Sequence, residues 1–323
     1  MELCDHAGLA VRLHRPGGAV HPDLAGAGRL IDAVLTYHTD PVRCGVCKFN
    51  TLLANRLGVS VLRWHEYLLT RCPLLSIKPS EWSTDDLVRL LRGIDRRTYD
   101  LALHDYGGSI FEVGLAIKAR RVFALNQAVA ERLPCPSQTL WCPPMLAAAP
   151  SPDLGVVSVL TFGMAHKWDA IRHERLHALL EASGQSYSVV LSTALHDGYD
   201  DFGAPVAARL IYGDKLFWMG MLSDEALAPL FARRSTYVAA FFEGGARANN
   251  STIQSALALG AVVITNLDRH SPREWVHGEN VLNLDEMDAL PTDPAIFARL
   301  RAKAALVAEQ YSWEHLVEAI RAA

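Results

Sequence analysis

The segment Phe241-Phe242-Glu243-Gly244-Gly245-Ala246-Arg247-Ala248-Asn249-Asn250-Ser251-Thr252-Ile253-Gln254 concentrates residues suited to holding an anion. It lies between a strand-like run, Thr236–Phe241, and a helical pattern that begins at Asn250 or Ser251, runs to Leu259 and is ended by Gly260. Gly244 and Gly245 allow a backbone to approach a ligand closely. Asn249, Asn250, Ser251 and Thr252 place small hydrogen-bonding groups at a helix start, where free N–H groups and the helix dipole favour negative charge. Arg247 adds a planar cation matched to phosphate oxygens. Together they describe a phosphate or diphosphate cradle. The same residue types also make an ordinary capped helix after a glycine turn, so the segment does not settle the matter alone.

Other segments carry possible chemistry. Thr161-Phe162-Gly163-Met164-Ala165-His166-Lys167 ends a strand at a glycine, with a lysine four positions on. It lacks the Walker A spacing, but a lysine past a strand's carboxyl end can reach a phosphate, or simply be solvated. Asp100–Gly108 ends a strand with His104, Asp105 and a glycine pair; His104 can be a general acid, a general base or an electrostatic stabiliser, or a plain loop histidine. Arg43-Cys44-Gly45-Val46-Cys47-Lys48 is a strand-to-helix loop at the place where a first βα turn binds ligands, without the three-glycine dinucleotide fingerprint. Cys44 and Cys47 form a lone C-x-x-C with no second pair for structural zinc. His173-Glu174-Arg175-Leu176-His177 is formally H-E-x-x-H, but no third ligand is evident nearby and so short a pattern arises easily by chance.

These residues need elements to hold them. Apolar runs alternate with helical patterns, the signature of βαβ units. In the first half, strands are predicted at Leu30–His38, Val59–Trp64, Pro73–Lys78, Tyr99–His104 and Arg121–Leu125, and helices at Cys47–Leu57, Asp85–Leu91 (capped by Ser83, Thr84 or Asp85), Phe111–Ala119 and Ala128–Leu133. Prolines crowd at 134, 136, 143, 144, 150 and 152, so Pro143–Leu154 reads as a linker. The alternation then restarts, with strands at Val156–Phe162, Tyr187–Ser192, Lys215–Trp218, Thr236–Phe241 and Ala261–Thr265. Helices are expected at Ala170–Glu181, Pro205–Ile211, Asp224–Ala232 (capped by Ser223), Pro294–Gln310 and Trp313–Ala322, with a loop at His196–Gly203. The first ~28 residues, with Gly17, Gly18, Gly26 and Gly28, show little periodicity.

At 323 residues the chain has room for about two domains. Half its residues are hydrophobic and 20% are charged, enough apolar material for real cores. The formal charge of −4 gives no bulk cation to hold a nucleic-acid backbone. The N-terminus has no basic n-region before an apolar run, and no stretch reaches the ~18 apolar residues of a membrane span. A cytoplasmic protein with reduced thiols is expected, with peripheral contact to a membrane surface left open. The fold class expected is α/β: two Rossmann-like doubly wound domains, residues 1–148 and 149–323, facing an interdomain cleft, with the last helix placed to pack back on the first domain.

From Val156 to the C-terminus the sequence resembles the donor-binding domain of GT-B glycosyltransferases, and glycosyltransferase family 4 in particular. Phe162-Gly163 through Lys167 is similar to the element that holds the donor diphosphate. Phe217–Leu227, with Gly220, resembles the nucleotide-base loop. Glu243-Gly244 through Gly260-Ala261-Val262-Val263-Ile264-Thr265 resembles the glutamate-glycine loop, helix and strand, and Pro272–Gly278 and Tyr311-Ser312-Trp313 its later elements. In the first half, Gly45 resembles the glycine loop and His104 the strand-end histidine that faces the reacting sugar. The family usually carries two glutamates eight positions apart; here Glu243 matches the first, while Ser251, or Ser255 by alignment from Gly260, stands at the second.

The resemblance implies a retaining, metal-independent transfer of a sugar from a nucleotide-diphosphate donor to a saccharide, lipid-linked or small-molecule acceptor, with no cofactor and no nucleic-acid partner. No Asp-any-Asp motif occurs, in keeping with a metal-independent enzyme. It gives catalytic roles to His104 and Glu243, and donor contacts to Gly45, Gly163, Lys167, Gly220, Gly244, Arg247, Asn249, Asn250, Ser251 and Thr252. A nucleotide-sugar epimerase or hydrolase of the same architecture, and a non-catalytic sugar-nucleotide-binding protein, are the alternatives.

Overall fold

The computed structural model describes residues 31–42, 44–94, 97–147, 157–164, 168–194, 203–233 and 236–322. The early glycines, most of the proline-rich segment after Ala147, Lys167 and the loop from His196 to Asp201 lie outside the described residues.

In the N-terminal half, β1 (Ala33–Thr36), α1 (Gly45–Leu57), β2 (Ser60–Arg63), β3 (Leu74–Ile77), α2 (Thr84–Ile94), β4 (Asp100–Leu103), α3 (Ile110–Lys118), β5 (Arg121–Ala124), α4 (Gln127–Ala130) and β6 (Gln138–Thr139) follow in order. The six strands form one sheet, ordered β2-β1-β3-β4-β5-β6 and parallel throughout. Parallel strands are covered on both faces, so their residues are apolar on both. Val34, Leu74, Ala102 and Phe123 face a cluster with α1, while Leu35, Leu75, Leu101 and Ala124 face one with α2 and α3.

The C-terminal half contains β7 (Val157–Met164), α5 (Ala170–Ala182), β8 (Tyr187–Ala194), α6 (Gly203–Tyr212), β9 (Leu216–Trp218), α7 (Asp224–Phe231), β10 (Thr236–Ala239), α8 (Ser251–Ala258), β11 (Val262–Thr265), β12 (Leu282–Asn283), α9 (Pro294–Gln310) and α10 (Trp313–Ala322). Its sheet is also six-stranded and parallel, ordered β12-β11-β10-β7-β8-β9. Leu160, Val238 and Val263 pack on one face; Val159, Tyr237, Val262 and Ile264 pack on the other.

α10 does not pack on the sheet that precedes it in sequence. Trp313, Leu316, Val317 and Ile320 join Phe49, Leu53 and Phe123 in the N-terminal half's core, and Trp313 stacks on Phe49 at 5.6 Å. The Trp313 indole donates to the Pro144 carbonyl at 2.8 Å. The apolar positions of α10 would otherwise face water, so this return stitches the two halves together.

Most expected strands run one or two residues past the hydrogen-bonded ladders, while β7 and β8 extend two residues beyond their expected ends, to Met164 and Ala194. His104 and Phe241 both sit just beyond the ends of β4 and β10, which places them on the sheets' carboxyl edges. The two-residue strands β6 and β12 went unforeseen because they are too short to show a period.

At the other end of β4, the fully buried Asp100 carboxylate takes paired hydrogen bonds from Arg120, at 2.9 and 2.6 Å, and one from Arg121 at 2.5 Å. Burial alone would raise its pKa, but the hydrogen bonds and charges of the two guanidiniums hold it below the usual carboxylate value. Such a group stabilises the fold above the ordinary carboxylate pKa, and its contribution disappears as pH falls through the lowered folded value. Asp100→Asn is expected to destabilise by about 3 kcal/mol at neutral pH, since it leaves two arginines on a buried neutral amide. The denaturant midpoint checks this, and the variant should lose less stability than the wild type on acidification.

Candidate functional site

Each sheet reverses its strand order once. β1 is flanked by β2 and β3, and β7 by β8 and β10, so one switch point lies between β1 and β3 and the other between β7 and β10. Ligands of open parallel sheets bind outside the carboxyl ends at such points. Both open into one cleft of about 330 Å³, lined from the first sheet by Gly45, Lys78 and Glu81 and from the second by Thr161, Gly163 and Ala240. That volume lies at the lower end of the range for small-molecule sites.

Two helices point their N-termini into the cleft. α8 contributes Ser251 and Thr252 after the N-cap Asn250, whose Oδ1 accepts the Arg247 amide at 2.5 Å. α1 contributes Gly45 after the N-cap Cys44, whose sulfur accepts the Cys47 amide at 3.4 Å. First-turn amides lack intrahelical acceptors, and each helix start carries partial positive charge. A Cβ added at Gly45 or Gly163 would meet nothing within 4 Å, so packing within the chain does not demand glycine at either place. Gly163 also has φ +148, a conformation that L side chains rarely adopt.

His104 reaches the cleft from the end of β4 and is 7% exposed. Ser76 Oγ lies 3.2 Å from its Nε2, and the Phe49 ring meets it edge-on at 5.1 Å. Burial pushes its pKa down to about 4, despite the opposing charge of Glu81, so the imidazole is neutral at physiological pH. Its carbonyl accepts a hydrogen bond from Asn249 Nδ2 at 3.0 Å, which links the two halves between two residues that line the cleft. Asn249 Oδ1 is buried and has no hydrogen-bond partner among the described residues, leaving an acceptor at the cleft wall.

His104, Gly45, Gly163, Asn249, Asn250, Ser251 and Thr252 thus line a common cavity. Others of the expected site do not. Arg247 donates to both Asp268 oxygens, at 2.6 and 2.8 Å, and to the carbonyls of Ala246 and Gly244. Its guanidinium fastens the loop before α8 instead of facing the cleft, because Asp268 on the neighbouring loop offers a fork that matches it. Gly244 makes the turn with φ +69, and Glu243 beside it is exposed; neither is a lining residue. Gly220, at φ +63, accepts the Thr193 amide through its carbonyl at 3.1 Å and sets the loop after β9, while Met221 and Leu222 form the wall. Lys167 lies outside the described residues.

The structure adds residues that sequence reasoning passed over. Lys48 sits one turn after Gly45 on the same face of α1, and Lys78 follows β3 directly. Lys48 Nζ meets Asp224 at the start of α7 at 2.6 Å, and Lys78 Nζ meets Glu81 at 2.8 Å. The i,i+3 spacing from Gly45 to Lys48 was a usable signal; the place of Lys78 depended on which strands flank β1.

The H-E-x-x-H pattern is structural. His173 stacks on Trp168 at 3.6 Å, its Nδ1 lies 2.8 Å from the Tyr212 hydroxyl, and burial takes its pKa down to about 3; His177 pairs with Glu181.

No protein-family model matches this sequence, and no curated protein does. Solved structures match its fold. The HepE protein of Anabaena, crystallised with UDP and glucose, superposes with a TM-score of 0.64 at 12% identity, covering 90% of this chain and 98% of that one. Sucrose-phosphate synthase of Thermosynechococcus elongatus gives 0.66 at 14% identity, covering 90% and 97%. A glycosyltransferase of Rickettsia africae gives 0.59 at 9% identity, also covering 90% and 97%. The chain therefore shares with these structures the GT-B-like α/β fold expected from its sequence, with two parallel six-stranded sheets.

The buried neutral histidines make the fold acid-sensitive. Unfolded, His104 and His173 would take up protons near the ordinary value of 6.5; folded, they resist to about 4 and about 3. Their contribution to stability is complete above 6.5 and declines as pH falls toward those folded values. Urea midpoints measured from pH 7.5 to 4.5 should drop steadily, and His173→Gln should flatten the decline.

Proposed function

We propose that this protein transfers a sugar from a nucleotide-diphosphate sugar to an acceptor, through a retaining reaction that places no metal on the diphosphate. The observation that carries this reading is the convergence of two helix N-termini, from α1 and α8, on one cleft at both sheets' switch points. A diphosphate leaving group gains negative charge as the glycosidic bond breaks. Oriented amides at Gly45, Ser251 and Thr252 stabilise that charge without reorganising, which is worth most where water is excluded. The UDP and glucose in the structure of HepE favour a UDP-sugar as the donor class to test first.

The other groups take supporting roles. Neutral His104 and the buried, unpaired Asn249 Oδ1 are assigned to sugar hydroxyls, one donating or accepting, the other accepting. Lys48 supplies a cation once its bond to Asp224 loosens, and Lys167 keeps its assigned place on the diphosphate by resemblance. Arg247 acts by fixing the loop that presents Asn249 and α8. Glu243 stays a candidate for the sugar hydroxyls on the strength of the family pattern alone.

Calorimetric titration with UDP-, GDP-, ADP- and TDP-sugars, followed by nucleotide-release assays, tests the proposal. Thr252→Asp is the sharpest variant, since a carboxylate in the first turn favours the helix but repels a diphosphate. Donor affinity is expected to fall about 10-fold or more with the melting temperature unchanged or higher, corresponding to ~1.4 kcal/mol of lost binding. Equal donor affinity would move the diphosphate away from α8. His104→Ala should lower turnover by at least ~10-fold with donor affinity largely kept, as for a group acting at the reacting sugar; wild-type turnover would remove it from the mechanism.

A further inference from the structure

At the edge of the cleft, three side chains that the transfer does not use come together. His38 lies two residues beyond β1, Cys44 caps α1, and Glu81 ends the 3-10 turn Pro79–Glu81 that follows β3. One ligand atom from each, a ring nitrogen, a thiol sulfur and a carboxylate oxygen, all lie within 4.8 Å of one another. His38 Nε2 is already 3.2 Å from Glu81 Oε2, and both side chains are partly open to solvent. We propose that His38, Cys44 and Glu81 form a binding site for a zinc-class divalent cation, with its fourth position open toward the cleft.

The donor set selects the ion. Thiolate with imidazole favours Zn²⁺ over Mg²⁺ or Ca²⁺, and three protein ligands with an open position are the pattern of an accessible zinc site. A tetrahedral ion with bonds of about 2.0–2.3 Å sets its ligand atoms roughly 3.3–3.8 Å apart. The His38–Glu81 pair is near that spacing, so the sulfur needs to close by only about 1 Å, within reach of side-chain rotation. On binding, the Cys44 thiol releases its proton to solvent and coordinates as the thiolate, while His38 binds through a neutral nitrogen.

The surroundings suit this arrangement. The Cys47 amide donates to the Cys44 sulfur at 3.4 Å and fixes that side chain at the start of α1, while burial raises the thiol's pKa, so deprotonation accompanies metal binding. Lys78 holds the other Glu81 oxygen, Oε1, at 2.8 Å, and Oε2 faces His38 Nε2, so the ion would insert between these two ligand atoms. The Lys78 charge opposes a cation, and Glu81 stands between them. Cys44 and Glu81 line the main cleft, while His38 lines a second cavity beside Trp64 and Asp86, so the ion would sit in the partition between the two. It would tie the β1–α1 loop to the turn after β3 across the N-terminal switch point.

Cobalt titration of the full chain, reduced and without donor, tests the site independently of any transferase activity. One equivalent of Co²⁺ should produce a sulfur-to-metal charge-transfer band together with visible ligand-field bands of a four-coordinate ion, and Zn²⁺ should displace both. Cys44→Ser keeps a good N-cap for α1 and should abolish the charge-transfer band. His38→Gln, which alters no cap, should retain the thiol and weaken Co²⁺ binding more than ~10-fold, since loss even of outer-shell partners costs that much. Cys135→Ser should behave as wild type. No charge-transfer band at one equivalent, a band that survives Cys44→Ser, or unchanged affinity in His38→Gln would each overturn the assignment.

Discussion

The rest of the structure depends on the hydrogen bond from Asn249 Nδ2 to the His104 carbonyl, 145 residues apart in sequence and 3.0 Å apart in space. It joins the carboxyl edge of one parallel sheet to the loop that opens α8 on the other. Nearby, the Cys142 amide donates to the Ala248 carbonyl at 3.1 Å and the Met145 amide to Ser255 Oγ at 3.0 Å, so the same loop and helix are held from the connecting segment. Two doubly wound sheets can each offer a switch point anywhere. Here these contacts, with the return of α10 onto the first core, make both points face a single cleft.

That geometry assigns the anion-attracting field to the backbone. Lys48 and Lys78 border the cleft, yet each has a carboxylate within 3 Å, Asp224 and Glu81 respectively. Arg247 is neutralised by Asp268. Among the described residues, what remains uncompensated at the cleft wall is largely the helix starts of α1 and α8, with amides that no side chain of their own caps completely. Helix starts of this kind attract anions locally without a basic surface, even in a chain of net charge −4.

Much of this was legible in the residues. α9 and α10 appear at their expected bounds, and the parallel-sheet architecture follows from apolar runs alternating with helical periods. Asn249, Asn250, Ser251 and Thr252 were recognisable because cap chemistry is local: the residues that satisfy a helix start are those adjacent to it. The pairing of Arg247 was not legible for the opposite reason. Its partner Asp268 is 21 residues away on a different loop, and no local pattern tells a guanidinium which carboxylate it will meet. Lys78 and Glu81 depend likewise on β3 lying beside β1, a neighbourhood set by strand order.

The glycines separate fold from function more sharply than the charged residues do. Gly245 has φ +91, and a Cβ there would lie 2.7 Å from the Asp268 carboxyl carbon, so the fold itself requires that glycine. Gly45 has no such constraint: it is helical, and a Cβ would enter open space. A residue that packing leaves free, placed at a helix start where two switch points meet, is most simply accounted for by something that must approach its backbone. The C-terminal loop before α8 is braced by its own arginine, whereas the N-terminal loop before α1 presents Gly45 bare beside the His38, Cys44 and Glu81 cluster. The two walls of the cleft are therefore held by different pairs: Arg247 with Asp268 on one, and Lys78 and His38 with Glu81 on the other.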